Sequence, residues 1–357
     1  MTRLAVRPLS VLRQSADVAL ATLAALHVLA LLSLLLVLGA LQPVAAAEDA
    51  CGGRNLAAEM QAKDPAGYAR IVAAADGIAN GKAIFWKIEK PGLAPSWLLG
   101  TMHLTDPRVL AMPKGAAEAQ AASRVTVLES DEILDQQKAM GKLLTKPQLT
   151  MMTDGKTLQS YLTADQARLL EAALKKRGIP LAAVSRMQPW MLYSFFALSP
   201  CEMNRKATGE AFLDQKIAED AVRAGKPVKG LETLQEQLES MAAVPTDLHM
   251  KSLMEGIEQD DRMGDITATT VDLYLAGNVG LLMPLLKALA PDGSDGEGYA
   301  AFEQRIITER NRRMAERALP ILKDGGAFIA VGAMHLVGDE GLVTLFRNAG
   351  YTVTPAS

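Results

Sequence analysis

Two of the four histidines in this chain of 357 residues belong to copies of one short motif. Both copies read G-x-M-H-L and contain His103 and His335, whereas His27 lies in an N-terminal apolar segment and His249 in a predicted helix. An imidazole can bind a metal ion or exchange a proton near neutral pH. Because the chain uses His so sparingly, the repeat predicts that His103 and His335 contribute to one functional site.

An apolar run precedes each motif and predicts a buried strand that stops at the motif glycine. These runs cover residues 97–99 and 327–331, and short apolar runs closed by Gly are typical of a buried strand followed by a sharp turn. Each His would then follow the carboxyl end of a strand, the edge at which open α/β sheets bind ligands. A single His in this position can be a structural hydrogen-bonding residue, but repetition of the whole pattern favours a functional role.

Glu129 is predicted at the same edge of the sheet. It is the first charged residue after the apolar run 125–128, which reads as another buried strand. In a parallel sheet it would lie on the same side as His103. A second, weaker candidate is Glu232, which closes a short predicted strand within 226–232.

The order of the predicted elements indicates an α/β fold with a largely parallel central sheet. Strands are predicted at 83–88, 97–100, 125–128, 226–232, 327–331 and 351–354, with amphipathic or capped helical stretches between them. The section from about 133 to 290 is mostly helical, and its nearly uniformly apolar stretch 186–198 predicts one buried or groove-lining helix. A charged helix is predicted at 302–319, after a loop of turn-forming residues at 291–298.

Residues 1–47 predict a secretory signal peptide. Arg3, Arg7 and Arg13 precede an almost uncharged apolar stretch, and Ala45-Ala46-Ala47 forms an A-x-A cleavage pattern. We therefore expect a periplasmic chain in which 48–357 folds as a single domain. The alternative is an uncleaved inner-membrane anchor facing the periplasm, because the apolar stretch approaches the roughly 20 residues that span a bilayer. Only then would the protein contact the membrane, through this segment.

The charge balance argues against a nucleic-acid partner, and the cysteine content indicates a disulfide. The chain has 37 Lys and Arg against 40 Asp and Glu, and without residues 1–47 the balance becomes 34 against 39, a net charge of −5. No basic cluster interleaved with aromatic residues is present, so we expect no nucleic-acid partner. Cys51 and Cys201 are the two cysteines, and an even number in an exported chain favours a disulfide. The alternative is two separately buried thiols.

Other catalytic motifs are absent from the sequence. It contains no G-x-S-x-G elbow, no H-E-x-x-H helix, no phosphate-binding P-loop and no G-x-G-x-x-G after a predicted strand. The sequence therefore gives no support to a serine hydrolase, a zincin, or a nucleotide- or dinucleotide-binding enzyme.

Five segments carry a resemblance to a known family. They read G-T-M-H-L-T-D-P-R, L-E-S-D-E, K-P-V-K-G-L-E-T-L-Q-E-Q-L, E-R-N-R-R-M and V-G-A-M-H-L-V-G-D-E-G-L. In these segments, spread over nearly all of the chain after residue 47, the protein resembles the TraB/PrgY/GumN family, which includes the animal Tiki proteins. The resemblance implies an α/β fold with pseudo-repeated halves flanked by many helices, related to erythromycin esterase and to haem-binding ChaN. For the Tiki proteins it implies a divalent-metal-dependent protease activity.

The same resemblance implies a metal site formed by His103, Glu129 and His335. Two neutral imidazoles and one carboxylate leave coordination positions of Mn²⁺, Co²⁺, Fe²⁺ or Zn²⁺ open for water and substrate. Arg310 is expected to steady a carboxylate or an oxyanion, with Asn311 as a second hydrogen-bond donor. The alternative for Arg310 and Asn311 is a solvated helix face.

The expected function is that of an exported, divalent-metal-dependent hydrolase, a Tiki-like peptidase acting on a peptide or small-molecule substrate. Two alternatives belong to other classes. One is a metal-free hydrolase of the erythromycin esterase type, in which a His acts as general base and Glu129 orients it. The other is a non-catalytic protein that binds haem, a metal ion or a partner protein.

Overall fold

The strands that carry the two motifs lie side by side in the middle of a six-stranded sheet. The structure is a computed structural model that describes residues 51–290, 300 and 303–356. The predicted signal peptide, 1–47, and the predicted loop, 291–298, lie outside the described residues.

The sheet is mostly parallel, as predicted. Its strands are β1 Phe85–Glu89, β2 Ser96–Thr101, β3 Val125–Leu128, β4 Val228–Gly230, β5 Ala327–Gly332 and β6 Thr352–Pro355, in the spatial order β4-β3-β5-β2-β1-β6. Strands β4, β3, β5 and β2 pair in parallel, and only β1 runs opposite to its neighbours β2 and β6. Their carboxyl ends therefore meet at one edge of the sheet. A strand, a His-bearing turn, a helical segment and a further strand occur twice, from β2 to β3 and from β5 to β6.

Helices connect these strands and cover both faces of the sheet. They are α1 Leu56–Lys63, α2 Pro65–Asp76, α3 Pro107–Leu110, α4 Ala116–Ala122, α5 Gln136–Leu143, α6 Ala164–Lys176, α7 Leu181–Val184, α8 Pro189–Tyr193, α9 Pro200–Ala207, α10 Leu213–Arg223, α11 Leu234–Ala242, α12 Thr246–Glu258, α13 Met263–Leu275, α14 Leu282–Leu289, α15 Glu309–Leu322 and α16 Leu342–Asn348. The predicted α/β fold, with a helical section between β3 and β5 that β4 interrupts, is confirmed.

Alternate residues of β5 face opposite layers of the core. Phe328 and Ala330 pack in one apolar cluster with residues of α10 and α13, whereas Ile329 and Val331 pack in another with α15 and α16. This period of two is the direct result of strand geometry, and burial on both faces explains why the strand is apolar at every position. The central strands are consequently rigid supports for the side chains that follow them.

Two predicted helices differ in the structure. The stretch 186–198 forms only the five-residue helix α8, because Pro189 starts a helix at its first turn and Ser199 caps a new helix that begins at Pro200. Its predicted burial is correct, since Leu192 and Phe196 belong to a separate apolar cluster built mainly by α6 and α12. Within the described residues, the helix predicted at 302–319 is a π-helix over Glu303–Thr308 and continues as α15.

Cys51 and Cys201 form a disulfide, which confirms that prediction. Their Cα atoms are 5.6 Å apart and 150 residues separate them along the chain, so the bond ties the segment before α1 to α9. No helix within the described ranges combines the length and the apolar character that a membrane span requires.

Candidate functional site

Four strand ends bring the predicted residues to one edge of the sheet. His103 follows β2, Glu129 follows β3, Glu232 follows β4 and His335 follows β5. Strands β2 and β5 are hydrogen-bonded neighbours in which Thr101 is paired with Gly332, so the two motifs turn away from the sheet at the same level. The edge predicted from the apolar runs is therefore shared by all four side chains.

Gly332 forms the floor between the two histidines. A Cβ atom added at this glycine would lie 3.1 Å from Glu129 Oε1, 3.5 Å from His335 Cδ2 and 3.7 Å from His103 Nε2. Its backbone angles, φ −51° and ψ 135°, are ordinary for any residue. Glycine is thus favoured here because a side chain would fill the space between these residues, and not because the backbone is strained. That space is bounded by the three predicted ligands.

His335 is buried and held as a neutral imidazole. Its Nδ1 lies 2.7 Å from Asn311 Oδ1, and Asn311 Nδ2 donates to the carbonyl of Glu340. Because the amide nitrogen is used in this way, Asn311 presents its oxygen to the ring and Nδ1 carries the proton. Burial, opposed by Glu129 and aided by Arg310, lowers the pKa of His335 to about 4. Its Nε2 lone pair is therefore available, 3.6 Å from Glu129 Oε1.

His103 is the more exposed of the pair and has an anionic partner. Its Nδ1 donates to Asp214 Oδ2 at 2.9 Å, and Asp214 Oδ1 accepts a bond from Thr101 Oγ1 at 2.7 Å. The Asp214 carboxylate, opposed by loss of hydration, raises the pKa of His103 to about 9. Lys206 Nζ donates to the main-chain carbonyl of His103 at 2.7 Å. The partner on Nδ1 leaves Nε2 as the nitrogen directed towards Gly332.

Glu129 is fixed as a carboxylate by three donors. Oε1 accepts the Gly332 N–H at 2.7 Å, and Oε2 accepts Arg310 Nη2 at 2.6 Å and Gln237 Nε2 at 3.2 Å. Burial alone would raise its pKa, but His335, which is protonated only at the acid pH where Glu129 titrates, acts with His103, Arg310 and the Gly332 N–H to lower it to about 2. Glu129 is therefore ionised wherever the protein is folded near neutral pH.

Arg310 joins two of the strand ends. Besides Glu129 it binds Glu232, with Nε donating to Oε2 at 2.8 Å, and Arg313 reaches the other oxygen of Glu232 at 2.8 Å. Burial opposes the charge on Arg310, but the two carboxylates raise its pKa above the ordinary value. Arg310 and Asn311 are 8% and 1% exposed, which rules out a solvated helix face for them. Glu232, the weaker candidate, supports Arg310 rather than facing Gly332.

A buried carboxylate also holds the turn after His103. Glu202, on α9, accepts the main-chain N–H of Thr105 at 2.7 Å and its hydroxyl at 2.9 Å. The neighbouring residue of α9 is Cys201, so the disulfide lies next to this contact. The first motif is therefore braced by helices from the middle of the chain, whereas the second is braced by α15.

Sequence reasoning missed Asp214, Gln237 and Glu202. A signal was available for Asp214, because it occupies the buried face of the amphipathic helix α10 together with Ile217 and Ala221. An Asp at a core-facing position is unusual and requires a partner. No comparable signal marks Gln237 or Glu202, since each looks like an ordinary polar helix residue.

The donor chemistry of the site fits a divalent metal. Metal-bound histidines usually donate their second ring N–H to a carboxylate or carbonyl, as His103 and His335 do to Asp214 and Asn311. The 3.6 Å between His335 Nε2 and Glu129 Oε1 is what two atoms, each about 2.1 Å from one ion, can span. Across residues 51–290 and 303–356, however, no group of three or more His, Cys, Asp or Glu side chains is already spaced so that it could hold a metal ion.

Comparison with known proteins finds a family match over most of the described residues. The sequence model of the TraB/PrgY/gumN family matches residues 84–355, which include all four strand ends. The chain is 24% identical over 324 residues to the Metalloprotease TIKI homolog of Nematostella vectensis, covering 77% of this chain and 67% of that relative. It is 26% identical over 327 residues to Metalloprotease TIKI2 of Danio rerio, covering 76% and 60%.

A human relative gives a similar result. The chain is 25% identical over 323 residues to Metalloprotease TIKI1 of Homo sapiens, covering 77% of this chain and 62% of the relative. The match thus spans about two thirds or less of the length of these relatives. No solved structure gives a significant match.

Proposed function

The chain belongs to the TraB/PrgY/gumN family, and from this premise we propose that it is an exported, divalent-metal-dependent peptidase. The relatives named above are called metalloproteases, and the residues at the sheet edge suit that chemistry. The substrate we propose is a peptide, which could also be part of a larger protein.

One observation carries the proposal. Neighbouring strands direct His103 Nε2, His335 and Glu129 Oε1 towards the space above Gly332, while a separate partner occupies Nδ1 of each ring. Purely structural histidines have no need of a common open space, and a shared ion requires one. We propose that His103, His335 and Glu129 hold the ion, which can be Mn²⁺, Co²⁺, Fe²⁺ or Zn²⁺.

The protein residues then have distinct tasks. A divalent ion bound here would lower the pKa of a water molecule to about 7 and polarise a peptide carbonyl. Asp214 and Asn311 orient the two rings and keep the proton on Nδ1. Arg310 keeps Glu129 ionised and in place, since Nε binds Glu232 and Nη2 lies between Glu129 and Glu232. Asn311 is likewise a positioning residue, because its amide donates to Glu340 instead of to a substrate.

We also propose that the protein works in the periplasm. The N-terminal segment has the charge and apolar pattern of a secretory signal, and the Cys51–Cys201 disulfide requires an oxidising compartment. If the segment is retained, it is the proposed point of membrane contact, and the folded part faces the periplasm. Fractionation of cells and the N-terminal residue of the purified protein test this proposal.

The enzymatic proposal is tested by peptide digestion. The protein is purified from the periplasm, stripped with EDTA, reloaded with one of the four ions and incubated with a peptide library, and mass spectrometry identifies fragments. We expect cleavage that requires the ion and disappears in His335→Ala. His249→Ala is the matched control, because His249 is also buried and its Nε2 lies 2.8 Å from the main-chain carbonyl of Met241, away from the sheet edge.

Other outcomes select the alternative functions. Cleavage that persists after complete removal of metal would indicate a metal-free hydrolase in which one imidazole acts as general base. A Soret band in the purified protein would indicate haem binding. Absence of cleavage, of bound metal and of haem would reduce the protein to a partner-binding domain.

A further inference from the structure

A cavity of about 380 Å³ opens directly beside the candidate site. His103, Glu129 and Asp214 form one wall, so the cavity is continuous with the proposed reaction centre. Its volume lies in the range of about 300 to 1,000 Å³ that is usual for small-molecule sites. The remaining wall is mostly apolar and includes Leu128, Ile133, Met140, Phe212 and Leu234. We name this space the apolar cavity.

We infer that the apolar cavity holds an uncharged apolar side chain of the peptide substrate, next to the bond presented to His103 and Glu129. This inference rests on the proposed peptidase function and names the substrate class. A peptide whose reacting carbonyl lies over Gly332 has an adjoining side chain within reach of the cavity, because the two spaces share a wall. Burial of that side chain would help to position the bond.

The charges in the wall favour an uncharged occupant. Three carboxylates line the cavity, and each already has a partner: Glu129 binds Arg310, Asp214 binds His103, and Glu132 binds Lys142. No Lys or Arg occurs among the described lining residues. An acidic substrate side chain would therefore meet three carboxylates, and the His103 ring in the wall is already paired with Asp214. A basic side chain would lose its hydration to carboxylates that are already compensated.

The rim of the cavity is also apolar. Phe212 packs edge-on against the His103 ring, with 5.7 Å between ring centroids, and joins the cavity to the site. Met140, on α5, lines the cavity and is 53% exposed. A flexible thioether at the mouth can adapt to apolar side chains of different shape. Leu144, one helical turn further, is 80% exposed but does not line the cavity.

Met140 and Leu144 offer a matched pair of variants. Met140→Glu puts a carboxylate at the mouth, whereas Leu144→Glu puts the same charge one turn away, and both positions are exposed enough to leave the fold intact. In the peptide library, the wild type should prefer an apolar residue over Glu beside the cleaved bond by roughly tenfold or more in kcat/KM. Met140→Glu should lower kcat/KM for the apolar substrates about tenfold, and Leu144→Glu should match the wild type.

Binding without turnover separates this inference from the peptidase proposal. Saturation-transfer NMR on the full mature chain compares N-acetyl-leucine amide, N-acetyl-phenylalanine amide and N-acetyl-glutamate amide. The two apolar amides should bind and the glutamate amide should not. Met140→Glu should abolish binding of the apolar amides, whereas Leu144→Glu should not.

If those results occur but no ion supports cleavage, the peptidase proposal fails and the cavity assignment stands. If peptides are cleaved without apolar preference and neither apolar amide binds, the cavity assignment is wrong and the peptidase proposal stands. If no ion supports cleavage and neither apolar amide binds, both the peptidase proposal and the cavity assignment are wrong.

Discussion

The two copies of the G-x-M-H-L motif place their histidines in opposite electrostatic environments. His103 has a side chain 53% exposed and donates to a carboxylate, which raises its pKa. His335 has a side chain only 5% exposed and donates to a neutral amide, and burial lowers its pKa. The local sequence thus determines where each strand ends and at which position after it the histidine lies. The charge state of His103 is set by Asp214 on α10, whereas burial sets that of His335, and Asn311 on α15 fixes which ring nitrogen carries its proton.

The largest effect is expected from removing either ring. If both rings hold one ion, His103→Ala and His335→Ala should each reduce peptidase activity by on the order of 10³-fold, and the double variant should lose little more, because ligands of one centre act as a unit. Metal content, activity and melting temperature with and without EDTA measure the effect, with His249→Ala as the control. Wild-type metal content and EDTA response in both single variants would show that the two motifs do not share a site.

Substitutions of the two motif glycines should have different effects, one on activity and the other on stability. In Gly332→Ala the added Cβ would enter the space between His103, His335 and Glu129, so activity should fall tenfold or more with little change in stability. In Gly100→Ala the Cβ would lie 2.9 Å from the Cα of Ala333, a main-chain contact. Overpacking of this kind destabilises by about 1 to 3 kcal/mol. Urea unfolding and kcat/KM of both variants provide the test, and equal stability losses would contradict the distinction.

The strand ends were predictable because their signals are local. A short apolar run closed by Gly, as in β2 and β5, or by a first charged residue, as in β3, specifies a buried strand and its end, so the positions of His103, Glu129 and His335 follow from sequence. Burial of Arg310 and Asn311 did not follow, because the Glu309–Arg313 stretch reads as a charged surface. In the structure Arg310 is buried against Glu129 and Glu232, from strand ends 181 and 78 residues away, whereas Arg312 is exposed and Glu309 is partly exposed.

The order of the strands and the partners of the rings depend on long-range contacts. Nothing in the motif itself specifies that β5 lies between β2 and β3, or that Asp214, 111 residues from His103, supplies its acceptor. Glu202 and Gln237 are equally distant contacts. Sequence therefore identified the side chains that meet at the sheet edge, and the structure added the groups that orient them.

Replacing the side chain that binds Nδ1 of either histidine should have an intermediate effect, measured as a loss of metal affinity. Asp214→Asn removes the charge beside His103 but leaves an amide, and Asn311→Ala removes the acceptor beside His335. Loss of such an orienting group typically weakens metal affinity by about 10- to 100-fold. Titration of the metal-free variants with Zn²⁺ or Co²⁺ measures this affinity. Gln235→Ala is a control, because the Gln235 amide donates to the exposed side chain of Glu239.

An unchanged affinity in Asp214→Asn would mean that an amide orients His103 as well as a carboxylate does. The electrostatic difference between the two motifs would then have no part in ion binding. An unchanged affinity in Asn311→Ala would instead contradict the role assigned to the His335 pair.

The smallest effect on activity is expected from the disulfide, which supports only the first motif. Cys201 precedes Glu202, whose carboxylate holds Thr105 two residues after His103, whereas the second motif has no contact of this kind with α9. The double variant Cys51→Ser/Cys201→Ser should lose about 3 to 5 kcal/mol of unfolding free energy, since the bond closes a loop of 150 residues. Below its melting temperature it should retain activity within about threefold, because Glu202 is still held in α9.

Urea unfolding and kcat/KM at 20 °C measure the two effects, and intact mass with and without reductant verifies the bond in the wild type. Two free thiols in unreduced periplasmic protein, or a stability equal to that of the serine variant, would show that the first motif is held by its helices alone.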